Sequence, residues 1–196
     1  LNYTPVSVSG GGSIPEPFSL NDVTVWSDLI CKFVCQNQAQ FELRPFLQEV
    51  IEDKIMPVHA YNKNYLKRAK EGEENMFYKL IVYCLEFLQS NQLLTRDYLP
   101  TPRLKSICPL INQILMPGIR PLLNAVRQIQ RDPNYSGMVT LLKEIERTGT
   151  LNLDSNEELV APAELSKLTR LGIITLYMDG RLQITPLGKL ALPLLE

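Results

Sequence analysis

The stretch from Leu168 to the end, LTRLGIITLYMDGRLQITPLGKLALPLLE, leaves fewer folding options than any other part of the chain. Ile173 to Met178 and Arg181 to Thr185 read as two short strands rich in apolar and β-branched residues. Between them stands Asp179-Gly180, a dipeptide that suits a two-residue hairpin turn in which both positions need positive φ. Gly172 is placed to end a preceding helix, since only glycine enters the left-handed region without steric cost. Thr185 and Pro186 predict the cap of a closing helix from Leu187 to about Leu192.

Three helices are expected in front of this hairpin. Met138 to Arg147 turns Val139, Leu142 and Ile145 to one face. Ser155 and Glu158 have the spacing of a capping box for a short second helix ending near Val160. Pro162 suits the first turn of a third, which directs Leu165, Leu168 and Leu171 inward and Glu164, Ser166, Lys167, Thr169 and Arg170 outward. The succession L-x-x-LGII…DGRLQITPLGKLAL resembles the wing region of many prokaryotic winged-helix (winged helix-turn-helix) regulators. The likeness covers residues 136–196 and lies at the level of the superfamily. It implies that the helix from Pro162 to Leu171 enters the major groove. Ser166, Lys167, Thr169 and Arg170 would then face bases or phosphates, and Arg181 would touch backbone from the wing.

Charge argues the other way. Residues 138–196 hold six basic and eight acidic side chains, and the wing tip carries Asp179 where a DNA-binding wing is expected to carry lysine or arginine. The whole chain, with 20 basic and 21 acidic residues, has a net charge of −1, so no global field draws it to DNA or to an anionic membrane. A winged helix used for protein contact or dimerisation fits this balance better.

Residues 1–18 contain Gly10, Gly11, Gly12, Pro5, Pro15 and Pro17 among serines, a composition expected of a flexible arm. Ser19 with Asp22 predicts a helix start. Val23, Trp26, Leu29, Ile30, Phe33 and Val34 then follow a helical period. A second helix is expected over 43–56, ended by Pro57. A third, over 73–90, is apolar around most of its circumference and is expected at the centre of a helical domain. Pro100 and Pro102 are expected to break the chain. Leu104 to Met116 predicts a helix interrupted near Pro109, and 119–130 a further helix. Asp132, Pro133, Asn134 and Gly137 mark the expected boundary between a helical domain, 19–133, and the C-terminal domain, 136–196.

The densest positive charge lies between His59 and Glu71, where Lys63, Lys67, Arg68 and Lys70 stand with Tyr61 and Tyr65 between them. On a helix Lys63, Lys67 and Lys70 share one face, and cations beside aromatic rings suit phosphate contact and base stacking. The same pattern is expected of a solvated face whose lysines pair with Glu71, Glu73 and Glu74. Arg103, Lys105, Arg120, Arg127 and Arg131 could extend a basic surface or form a solvent stripe.

Catalysis finds no support in these residues. Cys31 and Cys35, four apart on a helix, have Cβ atoms roughly 5–6 Å apart, wider than the roughly 3.5–4.5 Å of a disulfide. No cysteine pair has zinc-knuckle spacing and His59 is the only histidine, so Cys31, Cys35, Cys84 and Cys108 are expected as buried, reduced thiols of a cytosolic protein. Gly10-Gly11-Gly12 precedes no helix suited to phosphate. No metal, cofactor or enzymatic activity is expected. No apolar run approaches the roughly 18–20 residues of a membrane span, and LNYTPVSVSG lacks the basic end and apolar centre of a signal peptide. The chain begins at Leu1, as a trimmed or processed chain would.

The sequence thus predicts a mostly α protein, an N-terminal helical bundle followed by a winged helix with a two-stranded wing. The leading expectation is a DNA-associated regulator, cytoplasmic and bound to the nucleoid, that occupies double-stranded DNA through the winged helix and dimerises or binds a partner through the bundle. The alternative is a protein–protein scaffold with no DNA contact, an architecture also found in subunits of the proteasome lid and of translation-initiation assemblies.

Overall fold

The structure, a computed structural model, describes residues 13–52, 74–111, 118–155 and 161–196. It is mostly helical, with a small antiparallel sheet near the C-terminus. The chain divides into two compact units, residues 1–120 and 121–196.

In the first unit α1 (Leu20–Asn37) starts where the sequence predicts. Ser19 Oγ accepts from the Asp22 N–H, and the Asp22 carboxylate accepts from the Ser19 N–H, so two otherwise orphaned donors are satisfied. α2 (Leu43–Ile51) follows, then α3 (Glu74–Ser90) and two single-turn helices, α4 (Pro102–Lys105) and α5 (Cys108–Ile111). The hub is α1, which packs on α3, α4 and α5 and buries Trp26, Leu29, Ile30, Cys31 and Val34 completely. α3 lies against it with one side open, Tyr78 being 58% exposed. Aromatic rings join α1 to its neighbours: Trp26 meets Phe77 at 5.2 Å and Phe46 at 6.0 Å, and Phe33 meets Phe41 at 5.8 Å. The end of the expected arm is packed as well. Phe18 closes a turn onto Pro15 and sets its ring 5.7 Å from Phe77.

The helical chain is broken between Ser90 and Pro102 as expected, and Pro102 itself opens α4, at a first-turn position where its missing N–H costs nothing, with Thr101 Oγ1 accepting from Leu104 N–H as cap. The interruption falls at Ser106–Ile107, ahead of Pro109. The expected helix over 43–56 is described as far as Ile51, and the remainder lies outside the described residues.

One expectation about the cysteines is overturned. Cys35 and Cys108 form a disulfide that ties α1 to α5, with Cα atoms 5.2 Å apart. The i,i+4 argument removed only the Cys31–Cys35 pair. A partner 73 residues away is brought in by tertiary packing, to which local spacing is blind. Cys31 and Cys84 are free and buried.

α6 (Ile119–Gln130) begins at the division between the units. Within the second unit come α7 (Tyr135–Thr148), β1 (Leu151–Asn152), a 3-10 turn (Leu153–Ser155), α8 (Pro162–Arg170), β2 (Ile174–Leu176), β3 (Arg181–Ile184) and α9 (Pro186–Leu195). The sheet is ordered β1-β3-β2, so the expected hairpin gains a third strand. Leu151 pairs with Leu182, and Ile174, Thr175 and Leu176 pair with Ile184, Gln183 and Leu182. α7 packs on α9, β3 and β1, burying Met138, Leu141, Leu142 and Ile145 with Leu182, Leu190 and Ala191. α9 begins as predicted, with Thr185 Oγ1 accepting from Gly188 N–H at 3.0 Å and Pro186 in the first turn.

The hairpin turn is not the one expected. Gly180 N–H donates to Tyr177 C=O at 3.0 Å, closing a four-residue turn in which Gly180 alone has positive φ, +81°. The connection is therefore a three-residue loop, Met178-Asp179-Gly180, with glycine in the left-handed position that such loops need.

Candidate interaction surface of the C-terminal unit

Helix α8 and the β2–β3 hairpin carry the residues that the sequence nominates. Ser166, Thr169 and Arg170 are exposed on α8, at spacings that put them on one face. Lys167 is not free: its Nζ lies 2.6 Å from Asp132 Oδ2, and the two side chains are only 22% and 17% exposed. Asp132 is positioned just ahead of α7, its carboxylate also accepting from the Asn134 N–H at 2.9 Å. The hydrogen bond from Lys167, and then the one from Asn134, hold the Asp132 carboxyl below its ordinary value.

Arg181 is committed too. Its Nε donates to Asp179 Oδ2 at 2.6 Å, and its guanidinium lies 5.2 Å from the centre of the Tyr177 ring. The Asp179 carboxyl is lowered chiefly by that bond. Tyr177 in turn donates its hydroxyl to Gln183 Oε1 at 3.0 Å. Glu164, expected outward, is 9% exposed instead. Its carboxylate fills the space over Gly137, where an added Cβ would stand 3.6 Å from Oε1. Leu168 is fully buried as expected, while Leu165 and Leu171 are only half-buried. Lys63, Lys67, Arg68 and Lys70 lie outside the described residues, as does most of the helix expected after Ser155.

The sequence reading missed the apolar character of the hairpin surface. Leu176 and Tyr177 are each 41% exposed and Met178, at the loop, is entirely exposed. A signal was present, since Met178 stands directly before Asp179-Gly180 at the end of the hairpin. Reading the whole run as strand concealed it.

The first unit holds a second feature of chemical interest, a buried carboxylate. Asp28 on α1 is 1% exposed, and its Oδ1 accepts from the Ile119 N–H, the first of α6, at 2.7 Å. Its Oδ2 is buried with no hydrogen-bond partner among the described residues. Burial pushes the carboxyl up to about 7, against the opposing pull of the Ile119 N–H and Lys32. Burial also drives the Cys84 thiol up to about 12 and that of Cys31 well above its usual value, so neither is a thiolate near neutral pH. Among the described residues no group of His, Cys, Asp or Glu side chains could hold a metal ion, and no helix is long and apolar enough to cross a membrane.

No protein-family model matches the chain, and no curated protein and no solved structure matches it either.

Proposed function

We propose that the C-terminal unit is a winged helix that docks on protein, the scaffold reading of the two left open by the sequence. The order α7, β1, α8, β2, β3, α9 and the strand order β1-β3-β2 support the winged-helix part of this reading. One observation carries protein contact. The hairpin presents Leu176, Tyr177 and Met178 to solvent, while the cations beside them are already neutralised, Lys167 by Asp132 and Arg181 by Asp179. DNA affinity comes mainly from cations that replace counterions on phosphates. On α8 and the hairpin, Arg170 alone has no ion pair among the described residues. Apolar and aromatic side chains beside a polar rim are what a protein interface uses at its centre.

The DNA-associated regulator remains the second reading, favoured by the exposed face of Ser166, Thr169 and Arg170 on α8. In either reading the N-terminal unit supplies partner binding and no chemistry. The Cys35–Cys108 disulfide supports a setting in which thiols are not kept reduced, in place of the cytoplasmic one expected from the sequence. Titration of the 196-residue chain against duplex DNA at low salt separates the two readings. Protein docking requires no binding that depends on Arg170, and loss of tight binding in Arg170→Glu would establish the regulator.

A further inference from the structure

Asp28 and Cys35 stand seven positions apart on α1, about two helical turns, and so lie on one side of it. Trp26 and Phe33, which meet Phe46 of α2, lie on the other. The partners of the first two follow one another in the chain. Cys35 is bonded to Cys108, the first residue of α5, and Asp28 Oδ1 accepts from the N–H of Ile119, the first residue of α6. Local structure around these partners is weak. α4 and α5 have four residues each, too few to hold a helix without support from neighbours, whereas α1 and α3 run for 18 and 17. Short elements of this kind open locally at a lower free energy than the domain around them.

We propose that α5 and the start of α6 form a movable element, clasped to α1 by one redox-sensitive bond and one proton-sensitive bond. With the S–S bond in place, α5 stays on α1 whatever the charge on Asp28. A thiol reductant supplies two electrons and two protons, so that the S–S bond becomes two thiols and the reductant is oxidised to its own disulfide. The Asp28 contact then holds the element by itself. Its hold depends on pH, because Oδ2 is buried with no hydrogen-bond partner among the described residues and a negative charge there is poorly solvated. Few groups offset that charge. Lys32 on α1 pulls the carboxyl down, while the thiols of Cys31 on α1 and Cys84 on α3 are themselves raised in part by Asp28. The ionisable residue of α5 is Cys108, which is in the disulfide. The cations of α4 are Arg103 and Lys105, and Arg120 follows Ile119 on α6. Burial prevails over the groups that favour the charge and holds the Asp28 proton up to about 7. Opening of the reduced form is therefore rare in acid and grows as pH rises to about 7. It uncovers Ile111 and Ile119, apolar surface that the clasped form buries.

Amide hydrogen exchange of the 196-residue chain tests this, with the disulfide intact and in the double variant Cys35→Ser, Cys108→Ser. Leu85, inside α3, reports opening of the whole unit. In the disulfide-bonded chain Ile111 and Ile119 should be as protected as Leu85. In the double variant the two should be protected alike, and at least about tenfold less than Leu85. Their protection, corrected for the intrinsic pH dependence of exchange, should also fall roughly tenfold per pH unit between pH 5 and about 7 and then level off, since opening lets Asp28 ionise. Asp28→Asn in the same background keeps an acceptor for the Ile119 N–H and should remove that slope. Equal protection of all three amides without the disulfide, unlike protection at Ile111 and Ile119, or a slope that survives Asp28→Asn overturns the proposal. So does a double variant in which Leu85 loses its protection with the others, because the whole unit would then have opened in place of one element.

Discussion

Lys167 and Asp132 form an ion pair at 2.6 Å inside the C-terminal unit, and this pair withdraws from α8 one of its two cations. A lysine facing outward by helical periodicity is held instead by an acid thirty-five positions earlier in the chain. What remains exposed on α8 is Ser166, Thr169 and Arg170, a polar face with a single positive charge.

The pair should leave a signature in acid. Asp132 is held below its ordinary value in the folded chain, so the unfolded state binds its proton first as pH falls. Its stabilising contribution is present at neutral pH and is lost as pH drops through the folded value, below about 4. Lys167→Met should therefore unfold at a lower temperature than the parent at pH 7, with the gap closing near pH 2–3. Thermal melts by circular dichroism at both pH values check this. A gap that persists in acid would mean that packing of the lysine stem, and not the charge, is responsible.

Asp28 should act in the opposite direction. Its carboxyl is raised to about 7 by burial, so between the unfolded value of 3.8 and 7 the folded state holds the proton more tightly. Stability from this group is fully present below 3.8 and is lost as pH rises through about 7. Asp28→Asn keeps an oxygen for the Ile119 N–H and carries no charge. It should flatten the pH dependence and raise unfolding stability at pH 8 by about 2–4 kcal/mol. Asp28→Ala instead orphans the Ile119 N–H and should cost about 1–3 kcal/mol at pH 5. Urea unfolding across pH measures both.

The disulfide predicts a redox dependence confined to the first unit. Cys35 and Cys108 close a span of 73 residues between α1 and α5. Cys35→Ser with Cys108→Ser should lower unfolding stability by about 2–4 kcal/mol. Reduction of the parent by dithiothreitol should reproduce the loss, and mass spectrometry should count one disulfide before treatment. A chain whose denaturation midpoint ignores reductant would exclude the bond from the fold.

Gly188 should tolerate no side chain. An added Cβ would meet the Ile173 carbonyl oxygen at 2.3 Å and Ile184 Cγ1 at 2.6 Å, which α9 can relieve only by lifting from the sheet. Gly188→Ala should cost about 3 kcal/mol or more, because the Cβ strikes backbone and not the far end of a flexible side chain. Gly172→Ala gives the contrast: it is strained by its φ of +74° but meets only Leu187 Cδ2 at 3.8 Å, so its cost should be about 1–2 kcal/mol. Equal losses at the two positions would contradict the close approach.

These positions show which parts of the fold local sequence could specify. Ser19 with Asp22, Pro162, and Thr185 with Pro186 each mark a helix start where one occurs, because capping is settled within four residues. Asp179-Gly180 marks the hairpin, though a two-residue and a three-residue loop share that dipeptide, and the left-handed φ falls on Gly180 alone. The third strand escaped because Leu151-Asn152 has too few residues to show a period. Lys167–Asp132, Asp28–Ile119 and Cys35–Cys108 escaped for a common reason. Each joins residues at least 35 apart, and such pairs depend on packing that periodicity does not encode. Arg103, read as available surface charge, is likewise half-buried in α4, where burial lowers its value.

We propose that the C-terminal unit meets protein and not DNA. Fluorescence anisotropy of a labelled duplex of about 30 base pairs, titrated with the 196-residue chain at about 20 mM and then 200 mM salt, tests it most directly. Protein docking predicts no saturable binding below about 100 μM at low salt, and the same flat curve for Arg170→Glu. Micromolar binding that weakens steeply with salt and disappears in Arg170→Glu would contradict it, and would place α8 on the phosphates.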